Sequence, residues 1–437
     1  MERGEGERLQ EIVVKPSAYN ILIEKNNSLI IFNTRTGHLM ATESSEKNKT
    51  VEILSKGKHK YENNSIENFL YTNGFLINGN RNEFLEVVNS YNISENKLYF
   101  TLVPTYKCNF MCSYCFVDKS TTSMDESIFD SIYKYIETTV NKMNRDGLIL
   151  SIIWFGGEPL IEHNKICRFM RRLEKLNTNI ESNVITNGYL LNSKVFTKLI
   201  THGVNNLQIT FDGDEDFHDL SRKTCSGNNT FKKILANIVD IKDLSLDYNI
   251  LLRCNLTKTN KQSVLSLAGR LVGDGILDDR IKLTIKPIIN FSNRQSEVLF
   301  NGYDEVVNYL LAITHEMNGH CNYQIKLLPS PVSKWCYAGQ DNSIIFDPNG
   351  DIYPCKSFLG NAEYSIGKIT RDGKIIYHNN IVKSRFEEIH FCGDEKCISC
   401  IALPICMGSC KRIRLFSNHN YCYWNKDNLV KTIIQEY

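Results

Sequence analysis

The sequence predicts an α/β protein whose central part is a parallel sheet built from six βα units. Three observations support this class. Strand-like and helical segments alternate regularly from Leu98 to Ile289. The strand-like segments are mostly apolar on both faces, as in parallel sheets that helices cover. The segments between them are long enough for the right-handed crossovers that parallel strands require. The length of 437 residues leaves room for further domains on either side.

The first 95 residues are predicted to form a small α+β domain. The β-rich stretches YNILI and LIIFN are separated by the turn EKNNS and indicate two neighbouring strands. NSIENFLYTNGFL and RNEFLEVVNSYN place apolar residues at helical spacing, and they predict two helices.

Residues 96 to 300 contain the six predicted βα units. The six strand segments are LYFTLVPT, LILSIIWFGG, SNVITNG, NNLQITFDG, YNILLRCNLT and IKLTIKPII, and a helical segment follows each of the first five. Such a series can curve into an open, partial (β/α)6 barrel. Ligands of these folds bind at the carboxyl ends of the strands, so the polar residues there are candidate site residues.

The last third of the chain has a different character. Residues 301 to 330 are predicted to form a helical connector around DEVVNYLLAITHEM. Residues 331 to 437 have little periodicity and are rich in cysteine and glycine, which is typical of small regions held together by metal. NKDNLVKTIIQEY predicts a closing helix at the end of this region.

Composition narrows the class of protein. A net charge of +2 gives no sign of a surface for nucleic acid or for anionic membranes. No apolar run approaches the roughly 20 residues that span a bilayer, and the polar start MERGEGERLQ does not resemble a signal peptide. A cytoplasmic protein is therefore expected. In that compartment the 15 cysteines indicate metal binding or catalysis rather than disulfides.

The cysteines are unevenly distributed. Three lie in CNFMCSYC, at Cys108, Cys112 and Cys115, directly after the first predicted barrel strand. Four thiolates saturate a zinc ion or a [4Fe–4S] cluster, whereas three leave one metal position open. A zinc site lacking one ligand is the alternative, but no histidine lies nearby in sequence. An open iron at a strand end indicates a cluster that binds a substrate or cofactor. Single, isolated cysteines are interpreted as small buried apolar residues, and these are Cys167, Cys225, Cys254 and Cys321.

The C-x3-C-x2-C spacing after the first strand of a six-unit barrel resembles the radical S-adenosylmethionine (SAM) enzymes. The resemblance implies a partial (β/α)6 TIM barrel and a catalytic [4Fe–4S] cluster on Cys108, Cys112 and Cys115. In that family the open iron chelates the amino and carboxylate groups of SAM, and an electron from the cluster cleaves the C–S bond. The resulting 5′-deoxyadenosyl radical abstracts a hydrogen atom from the substrate. Tyr114 matches the aromatic residue whose backbone contacts the adenine.

Further strand ends resemble the SAM-binding motifs of the same family. GGEP follows the second strand, where the family binds the amino group of SAM, and it contributes Gly156, Gly157, Glu158 and Pro159. Asn187 in TNG matches the position that contacts the ribose. Thr210 in TFDG replaces the family's serine but keeps a hydroxyl for the SAM carboxylate. Arg222 in HDLSRK matches an arginine that can pair with that carboxylate. RCNLT ends the fifth strand and is expected to pack on the adenine. Asp212 and His218 also match the pattern and are interpreted as structural.

The cysteines of the last third resemble the SPASM extension of radical SAM enzymes, with zinc ribbons as the alternative. The resemblance implies two auxiliary [4Fe–4S] clusters in addition to the cluster that binds SAM. The outer cluster would be held by Cys397, Cys400, Cys406 and Cys422. The inner cluster would be held by Cys336, Cys355 and Cys410, with a fourth position that is open or taken by Cys392 or Cys321.

The sequence is consistent with three functions. The favoured one is a maturase of a ribosomally made precursor peptide, because residues 1 to 95 resemble the winged-helix-like leader-recognition domain of such enzymes. The overall form looks most like the streptide-type maturases, which join lysine and tryptophan side chains, with thioether-forming sactipeptide or ranthipeptide maturases as the alternative. The implied partners are the precursor peptide and an electron donor such as flavodoxin or ferredoxin.

The second function is that of an anaerobic sulfatase-maturing enzyme, which makes formylglycine. In that subfamily an aspartate base follows the second SPASM cysteine, whereas Lys356 follows Cys355 here. The third function is that of a non-enzymatic iron–sulfur electron carrier or redox sensor. Such a protein does not bind SAM, so the SAM-binding motifs argue against this function.

Overall fold

The computed structural model describes residues 12–90, 96–289, 298–300, 303–320, 328–332, 336–389, 391–416 and 422–437. Cys321, one of the expected buried cysteines and a candidate cluster ligand, lies outside the described residues. Among the helices of the described ranges, none is long and apolar enough to cross a membrane.

The N-terminal region contains two small three-stranded sheets and three helices. One sheet has the strand order β5-β1-β6 and the other β2-β3-β4. The elements are β1 Val13–Pro16, β2 Asn20–Lys25, β3 Ser28–Asn33, β4 Leu39–Ala41, α1 Lys47–Ser55, β5 His59–Lys60, α2 Ser65–Thr72, β6 Leu76–Asn78 and α3 Glu83–Ser90. The predicted hairpin is present, and its turn residues Asn26 and Asn27 have φ of 46° and 65°. Both values suit a two-residue hairpin turn, where asparagine is favoured.

The central region forms the predicted series of parallel strands. Strands β7 to β12 lie side by side in chain order, and every neighbouring pair is parallel. The elements are β7 Lys97–Leu102, α4 Glu126–Met143, β8 Ile149–Trp154, α5 His163–Leu173, β9 Asn179–Thr186, α6 Ser193–Ile200, β10 Asn206–Phe211, α7 Glu215–Ser221, α8 Phe231–Lys242, β11 Asn249–Leu256, α9 Lys261–Gly273 and β12 Ile281–Pro287.

The two faces of this sheet differ more than the sequence suggested. The outer face is apolar and covered by helices: Trp154 is fully buried and its ring contacts Phe129 of α4 and Phe169 of α5. The other face carries half-buried polar residues at alternate positions, including Thr210 and Arg253. The expectation of strands apolar on both faces was therefore wrong for the inner face, because an open barrel exposes that face to whatever binds inside it.

The C-terminal region extends the barrel sheet instead of forming a separate layer. Strand β13 pairs in parallel with β7, and β14 to β16 continue antiparallel, which gives a sheet of ten strands. The elements are α10 Tyr303–His320, β13 Ser343–Phe346, β14 Asp351–Tyr353, β15 Gly367–Ile369, β16 Ile375–Tyr377, α11 Asn380–Glu388, α12 Glu395–Ile398, α13 Leu403–Cys406, α14 Lys411–Phe416 and α15 Lys426–Glu436. The predicted connector and closing helices correspond to α10 and α15.

The two ends of the chain share a hydrophobic core. Ile21 and Phe32 of the N-terminal hairpin pack in one cluster with Ile405 of α13 and Leu429 of α15. The hydroxyl of Thr34 also donates a hydrogen bond to the carbonyl of Ile401, at 2.5 Å. Burial of these apolar side chains stabilises the contact between the N-terminal region and the cysteine-rich region.

Candidate active site

The loop that carries Cys108, Cys112 and Cys115 follows β7 at the carboxyl edge of the sheet. A second loop holds it in place through backbone hydrogen bonds: the amide of Met111 donates to the carbonyl of Lys223, and the amide of Cys225 donates to that of Asn109, both at 2.9 Å. The amide of Phe110 also points at the Cys108 sulfur, at 3.4 Å. Backbone hydrogen bonds to this second loop thus fix the position of the cysteine loop.

The environment of two of the thiols, Cys108 and Cys112, favours their neutral form until a metal binds. Burial raises the pKa of Cys108 to about 12, and the carboxylate of Glu158 acts in the same direction. Burial also raises the pKa of Cys112. A metal cation deprotonates the thiols that coordinate it, so these cysteines suit metal binding better than free nucleophilic chemistry.

The cysteines are not arranged around a single ion. In the described part of the chain, no group of three or more His, Cys, Asp or Glu side chains converges in a way that would hold one metal ion. Each thiolate of a [4Fe–4S] cluster binds a different iron atom, so a cluster does not require such convergence.

Gly156 and Gly157 allow the turn after β8 to touch the cysteine loop. The amides of Gly157 and Glu158 donate to the carbonyls of Thr105 and Lys107, at 3.0 and 2.8 Å. A Cβ atom on Gly157 would lie 2.6 Å from the carbonyl oxygen of Tyr106, and Gly156 has a φ of 144°. The two glycines therefore allow the backbone of this turn to contact the backbone of the cysteine loop directly.

The carboxylate of Glu158 connects the ends of β8 and β9. It is buried and accepts hydrogen bonds from the Thr186 hydroxyl at 2.6 Å, the Asn187 amide at 2.7 Å and the Leu160 amide at 3.0 Å. Burial raises its pKa. Pro159 begins the short 3₁₀ turn that follows. The expected contact of Glu158 with the SAM amino group stays a prediction, because in this structure the carboxylate positions the TNG segment.

Asn187 connects the TNG segment to the cysteine loop. Its side-chain amide donates to the side-chain oxygen of Asn109 at 2.8 Å, and its own oxygen accepts from the Tyr189 amide at 3.0 Å. Asn109 lies between Cys108 and Phe110 in the cysteine loop. The hydrogen bond from Asn187 therefore fixes the carboxyl end of β9 relative to this loop.

Tyr114 is the centre of a buried hydrogen-bond network. Its hydroxyl donates to Asp212 at 2.8 Å and accepts from Arg222 at 2.6 Å and from Asn255 at 3.1 Å. Asp212 also accepts from Asn255 at 3.0 Å and from Ser221 at 2.7 Å. Burial raises the pKa of Tyr114 well above its usual value. This network connects the cysteine loop to the ends of β10, α7 and β11.

The other predicted residues of this edge have different environments. Thr210 is half-buried on the inner face of β10, beside Arg253 of β11 in the strand register. His218 is buried between the rings of Phe211 and Phe231 and shares a hydrogen bond with a threonine hydroxyl. Its structural interpretation agrees with these contacts.

Two buried hydrogen-bond donors at the carboxyl edge of the sheet indicate whether this edge can bind a polar cofactor. The Asn109 side-chain nitrogen and the Arg222 Nε are buried, and neither has a hydrogen-bond partner within the described structure. Buried donors without acceptors cost free energy. A ligand with carboxylate or hydroxyl oxygens would satisfy them, so the residues present fit a group such as SAM.

The structure brings Cys336, Cys355 and Cys410 together, and we call them the inner triplet. Burial raises the pKa of Cys336, and the neighbouring thiols of Cys355 and Cys410 raise it further. The Cys355 sulfur lies 3.1 Å from the hydroxyl of Ser357. Lys356 extends from this group toward the barrel.

Four further thiols form a second group, the outer quartet of Cys397, Cys400, Cys406 and Cys422. Burial raises the pKa of Cys406 to about 12, and the thiols of Cys400, Cys422 and Cys397 act in the same direction. That either group holds a cluster stays a prediction. Cys392 packs in a cluster that includes Cys397, and its role as the fourth inner ligand stays a prediction.

Several residues of this site have no signal in the sequence. Asn109, Ser221 and Asn255 have common polar side chains, and the roles of Asn109 and Asn255 depend on partners 78 and 141 positions away in the chain. The interpretation of Cys225 as a buried apolar residue was wrong: it is exposed, and its thiol donates to the carbonyl of Cys108 at 3.3 Å. Cys167 and Cys254 are buried as expected.

Comparison with known proteins agrees with this geometry. Residues 102–267 match the family model of the radical SAM superfamily. The chain is 22% identical over 430 residues to the radical SAM cyclopropyl synthase TigE of Paramaledivibacter caminithermalis, a match that covers 90% of this chain and 88% of the relative. It is 23% identical over 352 residues to a cysteine-type anaerobic sulfatase-maturating enzyme of Clostridium perfringens, covering 70% and 86%.

Solved structures show the same fold. Native anSMEcpe with bound AdoMet and Cp18Cys peptide superimposes with a TM-score of 0.55 at 20% identity, covering 78% of this chain and 95% of that one. Streptococcus suis SuiB bound to precursor peptide SuiA superimposes with a TM-score of 0.51 at 14% identity, covering 94% and 99%.

Proposed function

We propose, from the match of residues 102–267 to the radical SAM superfamily model, that this chain is a radical SAM maturase of a ribosomally synthesised precursor peptide. Its reaction is an intramolecular crosslink, with a carbon–carbon bond between lysine and tryptophan side chains as the favoured product. The observation that carries the proposal is the three-thiol loop after β7, which contacts residues from the next four strand ends at one edge of the barrel.

The residues of this edge have distinct roles in the proposal. Cys108, Cys112 and Cys115 hold a [4Fe–4S] cluster, which supplies the reductive cleavage of SAM when it is bound. Arg222 presents an unpartnered Nε to an acceptor of the cofactor, and Tyr114 holds the guanidinium in place. Gly156 and Gly157 let the turn contact the cysteine loop, and Pro159 begins the turn that follows. Glu158 positions the TNG segment, in which Asn187 would contact the cofactor.

The crosslink balances as a two-electron oxidation of the peptide. Two hydrogen atoms leave the peptide for each new bond. One becomes part of 5′-deoxyadenosine, and the other leaves as a proton and an electron. The proposed clusters on the inner triplet and the outer quartet are suited to accept that electron, since thiolate-bound clusters span about −700 to +450 mV.

Two features support a peptide substrate. The N-terminal region ends its two small sheets in unpaired edge strands within the described structure, and a leader peptide can bind such an edge as an added strand. The region also packs on the helices beside the outer quartet. SuiB, which has the same fold, was crystallised with a precursor peptide.

A cyclopropane ring is a second candidate product, because the relative that matches 90% of this chain is a cyclopropyl synthase. Thioether formation remains a third candidate for the same site. Formylglycine formation is less consistent with the sequence, since Lys356 stands where that subfamily has its aspartate.

The test is the release of 5′-deoxyadenosine by the anaerobically reconstituted, reduced protein in the presence of SAM. The wild type should release it, and the variant with Cys108, Cys112 and Cys115 all replaced by alanine should not. An electron carrier or redox sensor would release none. Mass spectrometry of a co-expressed precursor peptide should then show a loss of two hydrogens for each crosslink.

A further inference from the structure

Arg414 of α14 holds its guanidinium against the outer quartet. One terminal nitrogen, Nη1, donates a hydrogen bond to the Cys397 sulfur at 3.5 Å and another to the carbonyl of Gly408 at 3.2 Å. The other terminal nitrogen, Nη2, donates to the carboxylate of Asp394 at 2.7 Å. A guanidinium carries five N–H donors in a rigid fork, so one side chain can serve these three acceptors at once.

The ion pair with Asp394 fixes the position of this guanidinium. The exposed fraction is 11% for the Arg414 side chain and 17% for that of Asp394, so water competes little for either group. The second carboxylate oxygen of Asp394 accepts from the Lys396 amide at 3.0 Å and caps α12, the helix that carries Cys397. One carboxylate therefore holds both the donor and the helix of the thiol that accepts from it.

Arg414 also connects the outer quartet to the segment that leads to the inner triplet. Gly408, whose carbonyl Arg414 binds, lies in the chain between Cys406 of the quartet and Cys410 of the triplet. The backbone amide of Arg414 donates to the carbonyl of Cys410 at 3.1 Å. The guanidinium is therefore fixed relative to both segments that carry these cysteines.

The donor to Cys397 differs in charge from the donors to two other candidate cluster ligands. The Cys108 sulfur accepts from the backbone amide of Phe110 at 3.4 Å. The Cys400 sulfur accepts from the backbone amide of Ala402, also at 3.4 Å. An amide is neutral, whereas a guanidinium keeps its positive charge. Hydrogen bonds with an ionised donor are roughly twice as strong as neutral ones.

The donor set of the outer quartet fits a [4Fe–4S] cluster, because four thiols are the number that saturates one. Two of them lie on one turn of chain, where the Cys400 amide donates to the Cys397 carbonyl at 3.2 Å. Reduction adds negative charge to a cluster and its sulfurs, so a donor to one sulfur stabilises the reduced form more than the oxidised form. Hydrogen bonds to the sulfurs are accordingly among the features that set the reduction potential.

We propose that the hydrogen bond from Arg414 to the Cys397 sulfur raises the reduction potential of a cluster on the outer quartet. Such a cluster is a better acceptor for the electron that the peptide releases together with a proton during crosslinking, and it is reduced by that one electron. This inference rests on the proposed function and specifies how the chain directs the released electron.

The test is a redox titration of the reconstituted full-length enzyme, followed by electron paramagnetic resonance. The reduction step of the outer quartet is the one that disappears when its four cysteines are replaced by alanine. In Arg414→Gln, the ratio of reduced to oxidised cluster in this step should fall about ten-fold at a given potential. For a one-electron couple this is a shift of about 59 mV to lower potential. The other reduction steps should stay where they are.

The matched control is Arg412→Gln. It removes an equal charge from the same helix, but the Arg412 guanidinium lies over the ring of Phe358, 5.0 Å from its centre. The ratio in the outer-quartet step should change less than about two-fold in this variant. Arg414→Lys keeps the charge but lacks the fork that reaches three acceptors, so its step should shift in the same direction as in Arg414→Gln.

An unchanged outer-quartet step in Arg414→Gln, or an equal shift in Arg412→Gln, would overturn the inference. A quartet variant that loses no reduction step would also overturn it, because the quartet would then hold no reducible cluster. Iron content covers the case in which the cluster does not assemble: a loss of about four iron atoms in both Arg414 variants would make Arg414 a structural residue and refute its effect on the potential.

Release of 5′-deoxyadenosine tests the proposed function separately, because it depends on the cluster of Cys108, Cys112 and Cys115. A shifted outer-quartet step in an enzyme that releases no 5′-deoxyadenosine would reject the proposed function and retain the effect of Arg414. Release by the wild type with an unshifted step in Arg414→Gln would retain the function and reject the inference.

Discussion

The contact between the turn after β8 and the cysteine loop can be tested with one methyl group. In the variant Gly157→Ala, the new Cβ would lie 2.6 Å from the carbonyl oxygen of Tyr106 and closer still to that of Lys107. Heavy atoms in favourable contact are about 3.5 Å apart. The turn or the cysteine loop must therefore move by roughly 1 Å, since both neighbours are backbone atoms that cannot rotate away.

The displacement should affect activity more than stability. Overpacking of this kind costs about 1–3 kcal/mol, whereas a shift of about 1 Å in a positioned reacting group can lower a rate by about 100-fold. We expect the rate of 5′-deoxyadenosine release to fall by roughly that factor while the protein stays folded. The assay is single-turnover release under anaerobic conditions, with thermal unfolding measured on the same sample.

The matched control is Gly269→Ala in α9. A Cβ on Gly269 has no atom within 4 Å, so the variant should keep its activity and gain about 0.5–1 kcal/mol in stability from the lower entropy of the unfolded chain. If Gly157→Ala released 5′-deoxyadenosine within about two-fold of the wild-type rate, the turn would not position the cysteine loop.

Three further results are expected. Tyr114→Phe removes the hydroxyl that several residues of the buried network share, so it should lower the free energy of unfolding by about 1–3 kcal/mol. Chemical denaturation measures this change. The control is Tyr61→Phe, which removes an exposed hydroxyl and should change the free energy of unfolding by less than about 0.5 kcal/mol. Replacing the inner triplet by alanine should remove about four of about twelve iron atoms per chain and leave SAM cleavage intact, as measured by iron content and 5′-deoxyadenosine release; unchanged iron would contradict the assignment. Burial raises the pKa of Asp347 to about 6 from 3.8. The folded state therefore binds more protons than the unfolded state in this pH range. As the pH rises from 5 to 7, the free energy of unfolding of the wild type should fall by about 1 kcal/mol because of this group. Asp347→Asn should abolish that loss, and a parallel pH dependence of variant and wild type would refute the shift.

The sequence predicts the barrel well because its physical signals are local. Each of the six strands is a largely apolar run, a helical segment follows each of the first five, and β7 to β12 occur where these runs lie. The cysteine spacing and the GGEP and TNG segments are also short, so they can be recognised without knowledge of the fold. The division of the later cysteines into two groups comes from the resemblance, and the structure gathers the same thiols.

What the sequence could not show depends on contacts between distant residues. Tyr114 bonds Asp212 and Asn255 across 98 and 141 positions of the chain, and no local pattern indicates such pairs. Strand β13 has four residues, too few for a clear alternation, and its parallel pairing with β7 depends on tertiary packing. The same holds for Cys225, whose exposure follows from the loop that it supports.

The most direct measurement is the electron paramagnetic resonance spectrum of the reduced cluster on Cys108, Cys112 and Cys115, recorded with and without SAM. To isolate that cluster, the cysteines of the inner triplet and the outer quartet are replaced by alanine. If SAM binds the iron atom that has no cysteine ligand, adding SAM should change the spectrum. The change should be absent in a variant in which Cys108, Cys112 and Cys115 are replaced instead. A reduced cluster whose spectrum is the same in both conditions would contradict the radical SAM assignment of this site.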